Sequence, residues 1–410
     1  MASTVAWLDT SEDEQRRIRE VIQLFSQQES RDELGIGQIR DALSDLLFPG
    51  TSVLQTRARY FLIVPWSFQH AATTGSRRDI ARRARDTERR LVGVLVQGND
   101  DGVIGRRAGA AVKNLPSTLF WSGLQTFGIL THRVTPDQLT GTLLGISESD
   151  AADELVARQV GEWHPTIPPP PLGFPKTLDG GLNLTKDEAR WLRERIVESA
   201  RGTLLEHLVQ ADSPPDRSRA PWQDRVALSA PPAAREVLNL AHGFSLMMNG
   251  AALLYNLLVA ERYVASGYTR VEDPVAAFHQ QYADWLDDVH AHRDLLDDWD
   301  ASAFGALVEG ATGRVPVRAR EFVVAWTTAV HNSAVDDAAL NPAHPLRGLV
   351  AQRERTTKRG QSRLTNDKML GAWNGASGTG PLTFRWSQVR GIITDIHEGL
   401  ARDEEAVARA

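Results

Sequence analysis

Apolar residues recur at three- and four-residue intervals along most of this chain, which is the period of a helix. Ser11 with Glu14 forms a capping box, followed by Ile18, Val21, Ile22 and Phe25 at helical spacing. Gly35 and Gly37 interrupt the pattern, Ile39 to Phe48 resumes it, and Pro49-Gly50 stops it. Thr51 or Ser52 then caps a further helix with Leu54, Ala58, Phe61 and Leu62 on one face. In the same segment Arg57 and Arg59 alternate with Ala58 and Tyr60, which also fits a strand. The helical neighbours and the missing hairpin signal favour the helix. Later in the chain, Thr185 with Glu188 opens a helix from Leu184 to Val209. Phe278 to Leu307 predicts one or two acidic helices, and Phe322 to Val330 another. Strand signals are few, so the expected fold is mainly α and multi-helical.

One segment is apolar all round. Val237 to Ala260 carries no formal charge over its 24 residues, long enough to span a bilayer. His242, Asn249 and Asn256 recur every seven residues, with Ser245 on the same side, and in lipid such groups need partners. A buried core helix with one polar seam, facing another helix, is the preferred reading, and no membrane contact is expected.

A chain of 410 residues with 42% apolar residues suits two or three domains. The run "HPTIPPPPLGFP", His164 to Pro175, reads as a stiff linker, and Asp212 to Pro232 as an irregular stretch. The expected organisation is an N-terminal helical domain over 1–160, a Pro-rich linker over 161–180, a central helical domain over 181–275, and a C-terminal acidic and basic helical region over 276–410.

Charge narrows the partners. The net charge of −6 gives no global attraction to nucleic acid or membrane, so phosphate binding must rest on local patches. There are no cysteines, which removes disulfides, thiolate metal sites and a cysteine nucleophile. The N-terminal stretch is acidic and too poor in apolar residues for a signal peptide, so a cytoplasmic location is expected. Arg outnumbers Lys 41 to 5, which reads as a GC-rich bacterial genome.

Three stretches could carry chemistry. Gly102 to Leu130 parses as helix (Ile104 to Lys113), turn (Asn114-Leu115-Pro116) and helix (Ser117 to Phe127), resembling a winged helix-turn-helix in the N-terminal domain. Arg106 and Arg107 lie in its first helix. The second helix presents Leu119, Phe120 and Trp121, poor readers of base edges, so packing or protein contact suits it at least as well. Arg347 to Lys368 carries seven basic residues (Arg347, Arg353, Arg355, Lys358, Arg359, Arg363 and Lys368) against Glu354 and Asp367. It leads into a glycine-rich loop flanked by Trp373 and by Arg385-Trp386. Basic charge beside aromatics suits a phosphate backbone with stacked bases. An ion-paired face against the acidic helix region of Asp284 to Asp300 suits the charge equally well. Arg77 to Arg90, with seven Arg against three acids, reads as a solvated helix face or a phosphate-contacting ridge. "GASGTG" lacks the Gly-Lys-Ser/Thr of a Walker loop.

No cofactor is expected. His290 and His292 diverge on a helix, and no HExxH or EF-hand spacing occurs, so no metal site is expected. No GxSxG appears, and His207, His242 and His331 sit in apolar helical contexts as core histidines.

"RDELGIGQIRDALSDLLFPGTSVLQTRARYFLIVPW", "GVIGRRAG" with "LPSTLFW", "GAALLYNLLVAER" and "RLTNDKMLGAWNG" with "LTFRW" together resemble domain-of-unknown-function family 6361, over essentially the whole chain. The family brings no assigned activity. The resemblance implies a setting among bacterial phage-defence genes that also encode helicases and phospholipase-D-like proteins. The expected function is therefore a non-catalytic subunit of a DNA-directed antiphage complex. Its partners are expected to be a helicase or another defence subunit, with DNA touched through Arg57, Arg59, Arg106, Arg107, Arg353, Arg355, Lys358, Arg359, Arg363, Lys368, Trp373, Arg385 and Trp386. The alternatives are a metal-dependent nuclease with an unfamiliar site around Asp284 to Asp300, and a purely structural protein–protein adaptor.

Overall fold

The computed structural model describes residues 32–74, 79–139, 162–313 and 315–402. These form fifteen α-helices joined by turns and short 3-10 segments. Among the described residues there is no strand ladder, only an isolated antiparallel bridge between Leu130 and Trp163. The fold is mainly α, as the helical period predicts. The helix expected after Ser11, with Arg77 and Arg78 of the later Arg-rich run, lies outside the described residues.

The described residues cluster into two compact units, 32–42 with 240–382 and 43–239 with 383–402. These limits differ from those read from composition, which assumes that each domain is one continuous stretch. The proline run falls inside the second unit. Its prolines have no backbone donors, so side chains help to tether it: Trp66 Nε1 donates to Pro168 O at 2.7 Å, and Trp66 meets Phe174 edge to face.

In the first unit the organising element is the helix Pro232–Ala265, represented there from residue 240. It is long and apolar enough to cross a bilayer, and 78% of its most apolar stretch is buried within the protein. Three later tryptophans, two on helices and Trp299 in a connection between two, fasten to its backbone. Trp285, Trp299 and Trp326 donate their indole N–H to the carbonyls of Leu246, Leu240 and Met247 at 2.8, 3.0 and 2.8 Å. Each ring contributes a large apolar area and satisfies its one polar atom on the same helix. The acidic segment expected as one or two helices forms three, Pro274–Ala291, Arg293–Asp297 and Ala301–Thr312, followed by Val317–His331.

The second unit packs the helices Tyr60–Thr73 and Ile80–Gln97 against each other, with Pro116–Thr126 beside the first, and Trp386–Leu400 against Lys186–Ser199. Tyr60 to Phe68 is buried throughout. This helix begins at Tyr60, well after the expected cap at Thr51 or Ser52. The Thr51 hydroxyl is spent on Phe48 O at 2.6 Å, and Gln55 folds back to Ser52 N and Gly50 O, so 51–59 is turn. The capping box of Thr185 and Glu188 forms as expected, but the helix stops at Ser199, and Thr203 caps a second one, Leu204–Gln210.

The helix expected over Ile104 to Lys113 does not form. Its place is taken by turns and a three-residue 3-10 segment, Gly109–Ala111. Gly105, at φ +85°, and Gly109 both adopt positive φ, backbone that a right-handed helix does not contain. Only the second helix of the expected pair is present, as Pro116–Thr126.

Candidate functional site

The basic block folds as the helix Pro345–Lys358 followed by a 3-10 turn, Arg359–Gln361. Leu346, Arg347, Val350 and Glu354 recur at helical spacing and are buried, so this face turns inward with two charges on it. Arg347 binds Glu261 and Ala339 O. Glu354 accepts from the Ser362 hydroxyl and, at 2.8 Å, from Arg363 N. Burial pushes the Glu354 carboxyl up, and these two donors pull it back down.

Arg353 donates Nε to Leu34 O at 2.6 Å and a terminal nitrogen to Gly35 O at 2.9 Å, with its guanidinium over the Phe322 ring. Burial lowers its pKa. Lys358 and Arg363 converge on Glu33, at 3.4 and 2.6 Å. The Tyr255 hydroxyl joins them, accepting from Arg363 at 3.2 Å. Burial first, then the Glu33 carboxylate, pushes the Tyr255 phenol up. Four of the seven basic residues are thus structural cations: Arg353, Lys358 and Arg363 bind down a strap, residues 32–36, and Arg347 binds Glu261. Arg355, Arg359 and Lys368 are exposed and meet no acidic partner among the described residues.

The pairing expected with the acidic helices is not how this charge is spent. Arg293 takes Asp297 within its own helix, and Asp300 caps the next one through Ser302 N and Ala303 N. Among the described residues no three His, Asp or Glu side chains gather as a metal-holding group.

The polar seam of the long helix meets a loop rather than another helix. Ser245 Oγ accepts from Leu382 N at 2.9 Å, and Asn249 Nδ2 donates to Thr379 O at 2.8 Å. Asn256 pairs reciprocally with Ser377, donating to its carbonyl at 2.8 Å and accepting from its N–H at 2.9 Å. These positions share one helical face. They hold the glycine-rich loop, whose course requires Gly378 at φ +64°. His242, at the far end of the seam, faces His292 with ring centroids 5.3 Å apart; burial and that second ring push its pKa down to about 4.

The expected stacking aromatics are core residues. Trp373 is 1% exposed and packs on Tyr263 and Phe278; Trp386 is fully buried, with Nε1 on Ser218 and its ring on Phe48. Neither ring offers a face to a base, because the apolar area that suits stacking also drives burial.

In the second unit, Arg57 donates Nε to both oxygens of Asp395 at 2.9 Å, and its terminal nitrogens to Asp101 O and Asn183. Arg59 donates to Asp179 O, Gly181 O and Glu188. Arg385 binds Asp45 and Thr51 O. Arg106 is exposed and bound to Asp100 O, and Arg107 is exposed. Ala58 N also donates to Asp395, so the turn before Tyr60 is tied down by residues far away in sequence.

Sequence reasoning missed Glu33, Glu88, Tyr255 and Asp395, and the pairing of the capping residue Glu188 with Arg59. Glu88 sits in the arginine-rich helix expected to be solvated, yet it is 1% exposed. It accepts from Ser117 N and Oγ, both at 2.7 Å. The available signal was at Asp395, a lone acid set among Ile392, Ile393 and Ile396.

No curated protein and no solved structure matches the chain. A family model described as "Family of unknown function (DUF6361)" matches residues 2–399. That match covers nearly the whole sequence, and the chain therefore belongs to this family of unknown function, DUF6361.

Proposed function

We propose that this chain is a non-catalytic subunit of a bacterial DNA-directed complex, of the antiphage kind, which touches the nucleic-acid backbone through Arg355, Arg359 and Lys368. One observation carries the reading, the division of the basic block. Arg347, Arg353, Lys358 and Arg363 are consumed inside the protein, whereas those three are exposed without an acidic partner among the described residues. In a chain of net charge −6, phosphate binding must rest on a local set of this kind. A helicase or another defence subunit supplies the protein partner. The nuclease alternative has no donor cluster among the described residues to support it.

The test is fluorescence anisotropy of labelled duplex and single-stranded DNA with the full chain, across a salt series. Arg355→Glu, Arg359→Glu and Lys368→Glu combined should weaken duplex binding by about tenfold or more. The slope of log K against log salt should become shallower by about 2 to 3, since each phosphate contact contributes about 0.9. Unchanged affinity in the triple variant, or no binding by the parent protein at low salt, overturns the reading in favour of a structural adaptor.

A further inference from the structure

The first unit contains a cavity of about 160 Å³. Its walls come from three stretches well separated in sequence: the strap at Ile36, the long helix at Met248, Asn249 and Ala252, and the glycine-rich loop at Ser377 and Gly380. We propose that this cavity binds a small, uncharged, single-ring heterocycle bearing a carbonyl oxygen and a ring N–H, the chemistry of a free pyrimidine base.

Size sets the first limit. A protein cavity of about 150 Å³ accepts one benzene ring, so this volume matches a single substituted ring. Charge sets the second. The acids in the wall are already answered: Glu33 by Lys358 and Arg363, and Asp32 by the N–H groups of Ile36 and Gly37 at 3.1 and 2.5 Å. Arg40, also in the wall, is paired with Asp41 at 3.0 Å. Each charged side chain in the wall thus already has partners of its own, and the proposed ligand is accordingly a neutral one.

The surfaces set the third limit. Ile36, Met248, Ala252 and Leu382 supply apolar area for the faces of a ring. The Ser377 hydroxyl and the Asn249 amide oxygen, both half-buried, and the exposed Gly378 and Gly380 N–H groups make no hydrogen bond with the described residues, although Ser377 and Asn249 use their other polar atoms on the seam. These are donors and acceptors together, which matches a ring carrying both. The seam fixes the loop at Ser377, Thr379 and Leu382, so the wall is preformed, and a preformed site loses little on ordering.

The test is isothermal titration of the full chain with uracil and with cytosine, adenine and benzoate serving as the two-ring and charged comparisons. Uracil or cytosine should bind at millimolar concentration or below and raise the melting temperature. Adenine and benzoate should bind at least about tenfold more weakly. Ala252→Leu, which fills the cavity, should remove binding while the far-ultraviolet circular dichroism stays unchanged. Should that variant fail to fold, Ser377→Ala removes only a hydroxyl and should weaken uracil binding severalfold with the ligand-free melting temperature preserved. Failure of both pyrimidines to bind the parent protein overturns the proposal. So does equal binding of adenine, or undiminished binding by a folded Ala252→Leu or by Ser377→Ala.

Discussion

Arg59 in the second unit is 1% exposed, and its terminal nitrogens reach Asp179 O, Gly181 O and Glu188 while its plane lies 5.7 Å from the Trp66 ring centre. Arg355 in the first unit is exposed and reaches no acid among the described residues. The sequence suggests a phosphate contact for both, through local basic charge. The difference is helical position and the carbonyls within reach. Residues 51–59 are turn, with few backbone hydrogen bonds of their own, and Arg57 and Arg59 bind the loops around them into place. The basic block is helical and already hydrogen-bonded along its backbone, so the period decides which cations turn inward. Local charge density therefore reports the number of cations and not the surface they make.

The comparison is broken most severely at the Arg59 pair. Glu188→Ala leaves a buried guanidinium without its counter-charge and should lower the unfolding free energy by about 3 to 5 kcal/mol in urea denaturation. A loss below about 1 kcal/mol would mean that the backbone carbonyls alone hold Arg59.

A titration gives the next largest effect. Burial raises the Glu88 carboxyl from its ordinary 4.5 to about 7, while the Ser117 hydroxyl and amide, then Arg85 and Arg89, oppose the rise. The folded protein keeps a proton that the unfolded chain releases. This contribution is therefore complete below pH 4.5 and lost as the pH climbs to about 7, a span of roughly 3 kcal/mol. Glu88→Gln, which still accepts from Ser117, should flatten stability against pH over that window. An unaltered profile would show that another group carries the slope.

In the first unit, Glu33→Gln strips Lys358 and Arg363 of their shared carboxylate. It should cost about 2 kcal/mol, smaller than at Glu188 because Arg363 keeps Tyr255 and is partly exposed. Thermal unfolding at fixed pH measures it, and a neutral result would show that the strap is held by Arg353 alone.

Much of the helical fold was legible in the sequence, and the reasons for the rest are specific. Thr185 with Glu188, and the spacing around Ile39, are local signals that act locally, and the structure follows them. The uncharged 24-residue stretch announced a buried helix, and its seven-residue seam announced a polar contact. What the seam meets was not legible, because Ser377 and Leu382 are more than a hundred residues away. Gly105 and Gly109 defeated the expected helix by backbone geometry that a hydrophobic pattern does not register. The candidate site was half legible: the basic block was found, but its division depends on Glu33, Leu34 and Gly35, over 300 residues from the arginines they bind.

Arg353 and Arg355 stand two residues apart in one helix and give the most direct measurement. Each is changed singly to Ala, and each variant is examined for urea stability and for duplex DNA affinity at low salt. The account predicts a crossed result: Arg353→Ala loses about 1 to 3 kcal/mol of stability, and Arg355→Ala stays within about 0.5 kcal/mol while binding DNA more weakly. Equal stability losses in the two variants, or DNA binding that depends on Arg353 and not on Arg355, would contradict the division of this helix into a structural and a binding face.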